Sequence, residues 1–194
     1  MARLDAMTTK LAALGGDHGI MSDGPRAAVA AILREPPGAE SAELFFIRRA
    51  DHPQDPWSGH IAFPGGRRDP EDESLLATAI RETREEVGIH LTQSDLLGRL
   101  PDVPAFLRSK KGNLVVTPFV FALRSEVTVV PNVEVATTLW VPVATLARGE
   151  GKSTFKLDYG GQAYDLPCVH LEPGQHRLWG ATLRMLETLL DAVR

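Results

Sequence analysis

The chain has 194 residues, 43% of them hydrophobic and 24% charged, which suits one α/β domain with a sizeable core and excludes a disordered, collagenous or coiled-coil chain. A formal net charge of −4 offers no basic excess for gripping a nucleic-acid polymer; a small phosphorylated partner stays open only if cations are brought to it. A lone cysteine, Cys168, forbids an internal disulfide and reads as a packed thiol, and residues 1–24 hold no apolar run long enough for a signal peptide or a membrane span, so a soluble, cytoplasmic protein with no membrane partner is expected.

Residues 1–24 read as an N-terminal extension carrying one short helix (Leu4, Met7, Leu11, Leu14) that stops at Gly15-Gly16. Residues 25–194 read as a single domain. Arg26–Arg34 is apolar enough for a buried strand, Pro36-Pro37-Gly38 closes it, and Glu43–Arg49 returns as the second strand of a hairpin. After a loop over 50–59, His60–Phe63 is extended into Pro64-Gly65-Gly66. Ser74–Val87 has the spacing of an amphipathic helix, with Leu75, Leu76, Ala79, Ile80, Thr83 and Val87 on its apolar side and Gly88 at its end. Strands are expected at Leu96–Leu100, Leu114–Leu123, Val127–Val130 and Thr137–Val141. A short helix follows over Pro142–Arg148, then a β excursion at Phe155–Leu157 and Ala163–Leu171 around Gly160-Gly161, and a helix over His176–Val193. Strands interleaved with two main helices point to helices packed on both faces of a mixed sheet.

The segment Gly65–Ile89 holds the chemistry. Glu82, Glu85 and Glu86 stand at i, i+3 and i+4. At about 100° per residue they share roughly a third of a helix circumference. Like charges so placed repel, and a divalent cation would reverse that; hard cations such as Mg²⁺ take one or two carboxylates together with substrate phosphates. Taken alone, the helix reads first as an ordinary solvated face with an Arg81–Glu85 ion pair. Its surroundings argue further: Gly66–Ile89 carries seven acids against four bases, a net −3 within a chain of −4, and a glycine pair precedes the helix, where backbone can approach a ligand closely.

The run Arg81-Glu82-Thr83-Arg84-Glu85-Glu86-Val87-Gly88-Ile89 resembles the second half of the Nudix box, with Thr83 where an aliphatic residue is usual. Upstream, Glu73 has the spacing from Arg81 of the box's first glutamate, and Gly66 then lies one residue too far away. The resemblance implies an α/β/α sandwich and an enzyme that hydrolyses phosphorus anhydride bonds with Mg²⁺ or Mn²⁺. It implies that Glu82, Glu85 and Glu86 ligate metal or activate water, that Arg81 orients the carboxylates with support from Glu73, and that a backbone carbonyl near Gly66 joins the metal. Glu82 and Glu86 are read as the main ligands and Glu85 as ligand or base. Glu134, in the loop before Thr137–Val141, is a second candidate base or else a surface acid.

Phe63-Pro64-Gly65-Gly66, Asp69-Pro70, Val116-Thr117-Pro118-Phe119-Val120, Val141-Pro142 and Leu178-Trp179-Gly180-Ala181-Thr182 are similar to the coenzyme A diphosphatase branch of that family. Arg48-Arg49-Ala50-Asp51 and Gly59 resemble its signature ahead of the box, with the spacing one residue long and Asp55 near the place of a middle arginine. The branch implies coenzyme A or its derivatives as substrate, with 3′,5′-ADP and 4′-phosphopantetheine as products. Other nucleotide-derived diphosphates (a nucleotide sugar, a dinucleoside polyphosphate, a damaged nucleotide) and a non-catalytic nucleotide sensor are the alternatives. Arg48, Arg49 and Gly65 are candidate substrate contacts; Lys110 and Lys111 either meet a phosphate or belong to a solvated loop. Trp57 is a candidate stacking residue, and His52, His60 and His176 read as structural. Homodimers are common among such relatives.

Overall fold

The computed structural model describes residues 3–12, 19–20, 24–53, 58–105, 114–171 and 176–194. Seven consecutive buried residues make β1 (Arg26–Arg34) a strand covered on both faces, the pattern of a sheet centre. Its antiparallel neighbour is β2 (Glu43–Arg49), paired through Leu33 with Leu44 and Arg34 with Glu43 as the hairpin reading expects. Beyond β2 lies β3 (Ile61–Ala62), and β4 (Gly65–Arg67) pairs the start of β1. The other long neighbour, fully buried, runs from Leu114 to Leu123 parallel to β1, so the sheet is mixed. It is β7, because two short strands, β5 (Leu96–Arg99) and β6 (Val103–Ala105), precede it and pair with it antiparallel. β8 (Val135–Pro142) closes the sheet against β2.

Alternation along β1 sorts the core into two layers. Ala27, Val29, Ala31 and Leu33 face a cluster that holds Met7 and Leu11 of α1 (Leu4–Ala12), Val143 and Leu146 of α3 (Val143–Ala147), and Leu183, Leu186 and Leu189 of α4 (Gly180–Ala192). Ala28, Ala30 and Ile32 face Ala79 and Val87 of α2 (Leu75–Val87). This is the expected α/β/α sandwich around a mixed sheet. A three-stranded antiparallel sheet, β11-β10-β9, stands apart from it, formed by β9 (Lys152–Tyr159), β10 (Gln162–His170) and β11 (Arg177–Trp179).

Several expectations are corrected. Val127–Val130 is not a strand. Val127 and Val129 pack on the α2 layer and the backbone bonds the helix end instead: the Val130 N–H donates to the Val87 carbonyl at 2.9 Å and the Asn132 N–H to that of Glu86 at 2.8 Å, satisfying carbonyls a helix C-terminus leaves open. The last helix begins at Gly180, because Arg177–Trp179 is taken into the small sheet. β4 and β6 are too short for their periodicity to be read. Gly15-Gly16, Asp55, Trp57, and the Phe106–Asn113 loop with Lys110 and Lys111 lie outside the described residues. No helix among the described residues is long and apolar enough to cross a membrane.

Candidate active site

α2 is anchored at both ends. The Ser74 side chain caps it by accepting from the Ala77 N–H at 3.1 Å, and Gly88 closes it in the left-handed conformation. Its inner face carries the polar Thr83, fully buried, whose hydroxyl donates to the Ala79 carbonyl at 2.7 Å. The departure from an aliphatic residue there is absorbed by the helix's own backbone. The same inward side carries Glu86, 3% exposed. One oxygen of Glu86 accepts from the Gly65 N–H at 2.8 Å, and Arg49 of β2 stands 3.6 Å from the other, near enough for an ion pair. Burial pushes Glu86 up to about 7. The Gly65 N–H and the Arg49 charge pull the other way, and Glu82 and Glu134 add to the rise.

Glycine is required where β4 meets the helix. Gly65 has φ 149°, and a Cβ on it would sit 2.3 Å from the Ala28 carbonyl oxygen. A Cβ on Gly66 would lie 2.5–2.6 Å from the Glu82 carboxylate. Any side chain at Gly66 would therefore collide with the Glu82 carboxylate and displace it. Burial also raises Glu82, against the hydrogen bond and charge of Arg81.

Arg81 ties the acids together. Its guanidinium holds Asp72 through two hydrogen bonds of 2.9 Å, Glu82 at 2.9 Å and Glu85 at 3.1 Å. The two-bonded fork is the strong, orienting form of this contact. Here the structure corrects the sequence reading: Asp72, not Glu73, supports Arg81. Asp72 is buried, and it also accepts from the Thr78 hydroxyl at 2.8 Å and the Asp69 N–H at 2.9 Å. The Arg81 hydrogen bonds hold it well below the usual carboxylate range. Glu73, next to the helix cap, is exposed. The signal was available: five residues separate Gly66 from Asp72, the usual spacing of the box, so the additional residue lies between this acid and Arg81.

Glu134 arrives from the loop that Asn132 pins to the end of α2; its carbonyl accepts from the Ala50 N–H at 2.7 Å, and its charge is felt by both Glu82 and Glu86. Glu85 sits on the rim, with about half of its side chain exposed. Arg48 turns away from Glu86 to Asp51, 3.1 Å off, beside Gly59, where a Cβ would meet Asp51 at 2.9 Å. Among the described residues no three acids converge into a ready-made metal cage. The donor set is nevertheless right for a hard cation: the Glu86 carboxylate accepts from the Gly65 N–H, and the Glu82 carboxylate lies against the bare backbone of Gly66, so oxygen ligands of both acids meet the same glycine pair. Mg²⁺ fits such a site because it keeps several waters and shares its shell with substrate phosphates, unlike an ion that demands an all-protein cage.

The fold and this arrangement define an α/β/α domain whose acidic helix lies against a glycine strand. The NUDIX domain model matches residues 24–159, and the chain belongs to the Nudix family. It is 33% identical over 151 residues to an uncharacterized Nudix hydrolase, NudL, of Yersinia enterocolitica, covering 77% of this chain and 73% of that protein. The crystal structure of a MutT/nudix family protein from Enterococcus faecalis superposes with a TM-score of 0.58 at 16% identity, over 96% of this chain and 68% of that one. The NUDIX domain of Shewanella oneidensis NrtR, complexed with ADP ribose, does so with 0.58 at 16% identity, over 90% and 91%.

Proposed function

We propose that the protein is a divalent-metal-dependent hydrolase that cleaves the diphosphate linkage of a small nucleotide-derived molecule, with coenzyme A or its derivatives as the substrate. The observation that carries the hydrolytic reading is Glu86: a carboxylate sealed on the same helix as Glu82 with too few donors to offset its burial, while the bare backbone of Gly66 lets the Glu82 carboxylate lie directly against it. Such a pair is suited to Mg²⁺ or Mn²⁺. Glu82 and Glu86 are the proposed ligands, with the backbone carbonyl of Gly66 and, from the rim, Glu85. A bound divalent ion supplies neutralisation of the diphosphate charge and a bound water of lowered pKa.

The chain's own groups do the rest. Arg81, held by Asp72, fixes the Glu82 and Glu85 carboxylates so that little reorganisation is left for the reaction. The Gly65 N–H and Arg49 set the orientation of Glu86. Glu134, on its anchored loop, is the proposed acceptor for the proton of the attacking water, with Glu85 as the alternative. Lys110 and Lys111 are proposed phosphate contacts.

The coenzyme A assignment rests on the residues around Phe63–Gly66 and on Arg48, Asp51 and Gly59, with Arg48 3.1 Å from Asp51 supporting their grouping. The rival is ADP-ribose or another nucleoside diphosphate derivative, favoured by the ligand of the NrtR domain. A panel of coenzyme A, ADP-ribose, nucleotide sugars and dinucleoside polyphosphates, assayed with Mg²⁺ and with Mn²⁺, separates these readings. Release of 4′-phosphopantetheine and 3′,5′-ADP is the expected result. Preferred cleavage of ADP-ribose would transfer the assignment, and ligand binding with no turnover of any member would overturn the enzyme reading.

A further inference from the structure

The β9–β10 hairpin has an apolar face that the domain covers at its base and leaves open toward its tip. Its two strands join through Gly160-Gly161, both at positive φ, in the two-residue turn that suits a twisted hairpin. The register pairs Phe155 with Leu166, Leu157 with Tyr164 and Tyr159 with Gln162 on one face, and Lys156 with Asp165 and Asp158 with Ala163 on the other. At the base, Phe155 is covered by Trp179, edge-on with centroids 5.2 Å apart, and by the Arg177 guanidinium 4.4 Å from its ring centroid. Toward the tip, Tyr159 and Tyr164 are 55% and 42% exposed. β9 is also an edge: the sheet runs β11-β10-β9, and no strand among the described residues pairs its outer side. A long edge with an apolar face is a template for another strand.

We infer that the occupant is β9 of a second copy, paired antiparallel about a two-fold axis through Leu157. Strands related in this way set residue i opposite j with a constant sum, and charge selects that sum. Centred on Leu157, Lys156 faces Asp158 of the other copy twice over, Phe155 faces Tyr159, and Leu157 faces itself. Centring on Lys156 or on Asp158 brings like charges together. A slip by half a step sets apolar residues opposite charged ones and turns one copy's apolar face to the wrong side. The Leu157 centre joins both apolar faces into one surface and matches both Lys156 and Asp158, whereas a Phe155 centre pairs Lys152 with Asp158 but sets Lys156 opposite Thr154 and Leu157 opposite Ser153; the Leu157 pairing gives a six-stranded sheet from two small ones. The contact is isologous, as closed two-fold dimers are.

The test uses the full-length protein and two single variants, D158K and K156D, in sedimentation velocity from about 1 to about 100 µM. Wild type should show a monomer–dimer equilibrium. Each variant alone should dimerise at least about tenfold more weakly, because two attractions become two repulsions. Mixed in equal amounts, the two variants should associate again, since D158K supplies lysines and K156D aspartates at every facing position; this recovery also shows that both are folded. L157C should form a disulfide-linked dimer on mild oxidation, because directly opposed Cα atoms lie about 4.5–5.5 Å apart; the native Cys168 is buried. A wild type that stays monomeric throughout, leaving the face for some other partner, would overturn the proposal. So would unchanged self-association of the single variants, a mixture that fails to associate, or L157C that does not cross-link.

Discussion

Asp102 and Glu86 are both carboxylates sealed in the interior, 7% and 3% exposed, yet they sit in opposite electrostatic states. Asp102, between β5 and β6, is met by Arg26 at 2.7 Å, Arg99 at 2.9 Å, the Thr117 hydroxyl at 2.7 Å and the Ile20 N–H at 2.9 Å. Burial pushes it up and these donors outweigh burial, leaving it below the ordinary range. Glu86 has one close donor, Gly65, and an arginine at 3.6 Å, and there burial wins. Depth in the protein is shared; the supply of donors is not. One carboxylate is a finished structural joint; the other, with Glu82 beside it, is buried more deeply than its donors offset.

The contrast can be broken from either side. The largest effect expected is at the site: Glu86→Gln keeps the shape and the Gly65 contact but should lower kcat by on the order of 10³-fold, about 4 kcal/mol. The same change should leave the metal-free protein no less stable than wild type in a urea titration at neutral pH. Asp102→Asn should do the reverse, costing about 3 kcal/mol of stability by removing the buried charge that two partly buried arginines share, with kcat per folded molecule little changed.

Next comes pH. Folded Glu86 keeps a proton that the unfolded chain releases near 4.5, so metal-free stability should fall by roughly 2–3 kcal/mol as pH rises from about 4.5 to about 7 and then level off. Asp102 and Asp72 have lowered values, so their contributions are present above about 3.8 and are lost as pH falls below it. A metal-free stability curve without a falling limb between those values would remove the claimed difference between the two carboxylates.

Smaller still, Asp72→Asn should cost about 2 kcal/mol and lower kcat through a loosened Arg81. Glu73→Gln should stay within about 0.5 kcal/mol of wild type and turn over normally. Equal effects from this pair would put the support of Arg81 back in doubt.

The long elements were legible because periodicity and burial agree there: β1, β2, β7 and α2 are read from apolar spacing alone, whereas Glu82, Glu85, Glu86 and Arg81 were marked by the resemblance of Arg81–Ile89 to the Nudix box, their helix positions alone fitting a solvated face. What was not legible depends on contacts across the chain. Glu73 and Asp72 are adjacent acids, and only the direction of the Arg81 side chain separates them. Val127–Val130 has a strand's composition, but its backbone partners are helix carbonyls, which no local pattern announces. The burial of Glu86 against a strand about twenty residues upstream, and the joining of Asp102 to Arg26 across the intervening β7, are products of topology. Glu134 was visible as an acid in a loop; its nearness to Glu86 comes from the Asn132 bond to the end of α2.

The most direct measurement of the central claim is Mn²⁺ binding, followed by the EPR signal of the free ion, in wild type and in Glu86→Gln. Wild type should bind at sub-millimolar Mn²⁺ near pH 8 and about tenfold more weakly near pH 6, where a proton competes for Glu86; the variant should bind at least about tenfold more weakly and lose the pH dependence. Equal binding by the two proteins, or none by wild type at millimolar Mn²⁺, would contradict the account.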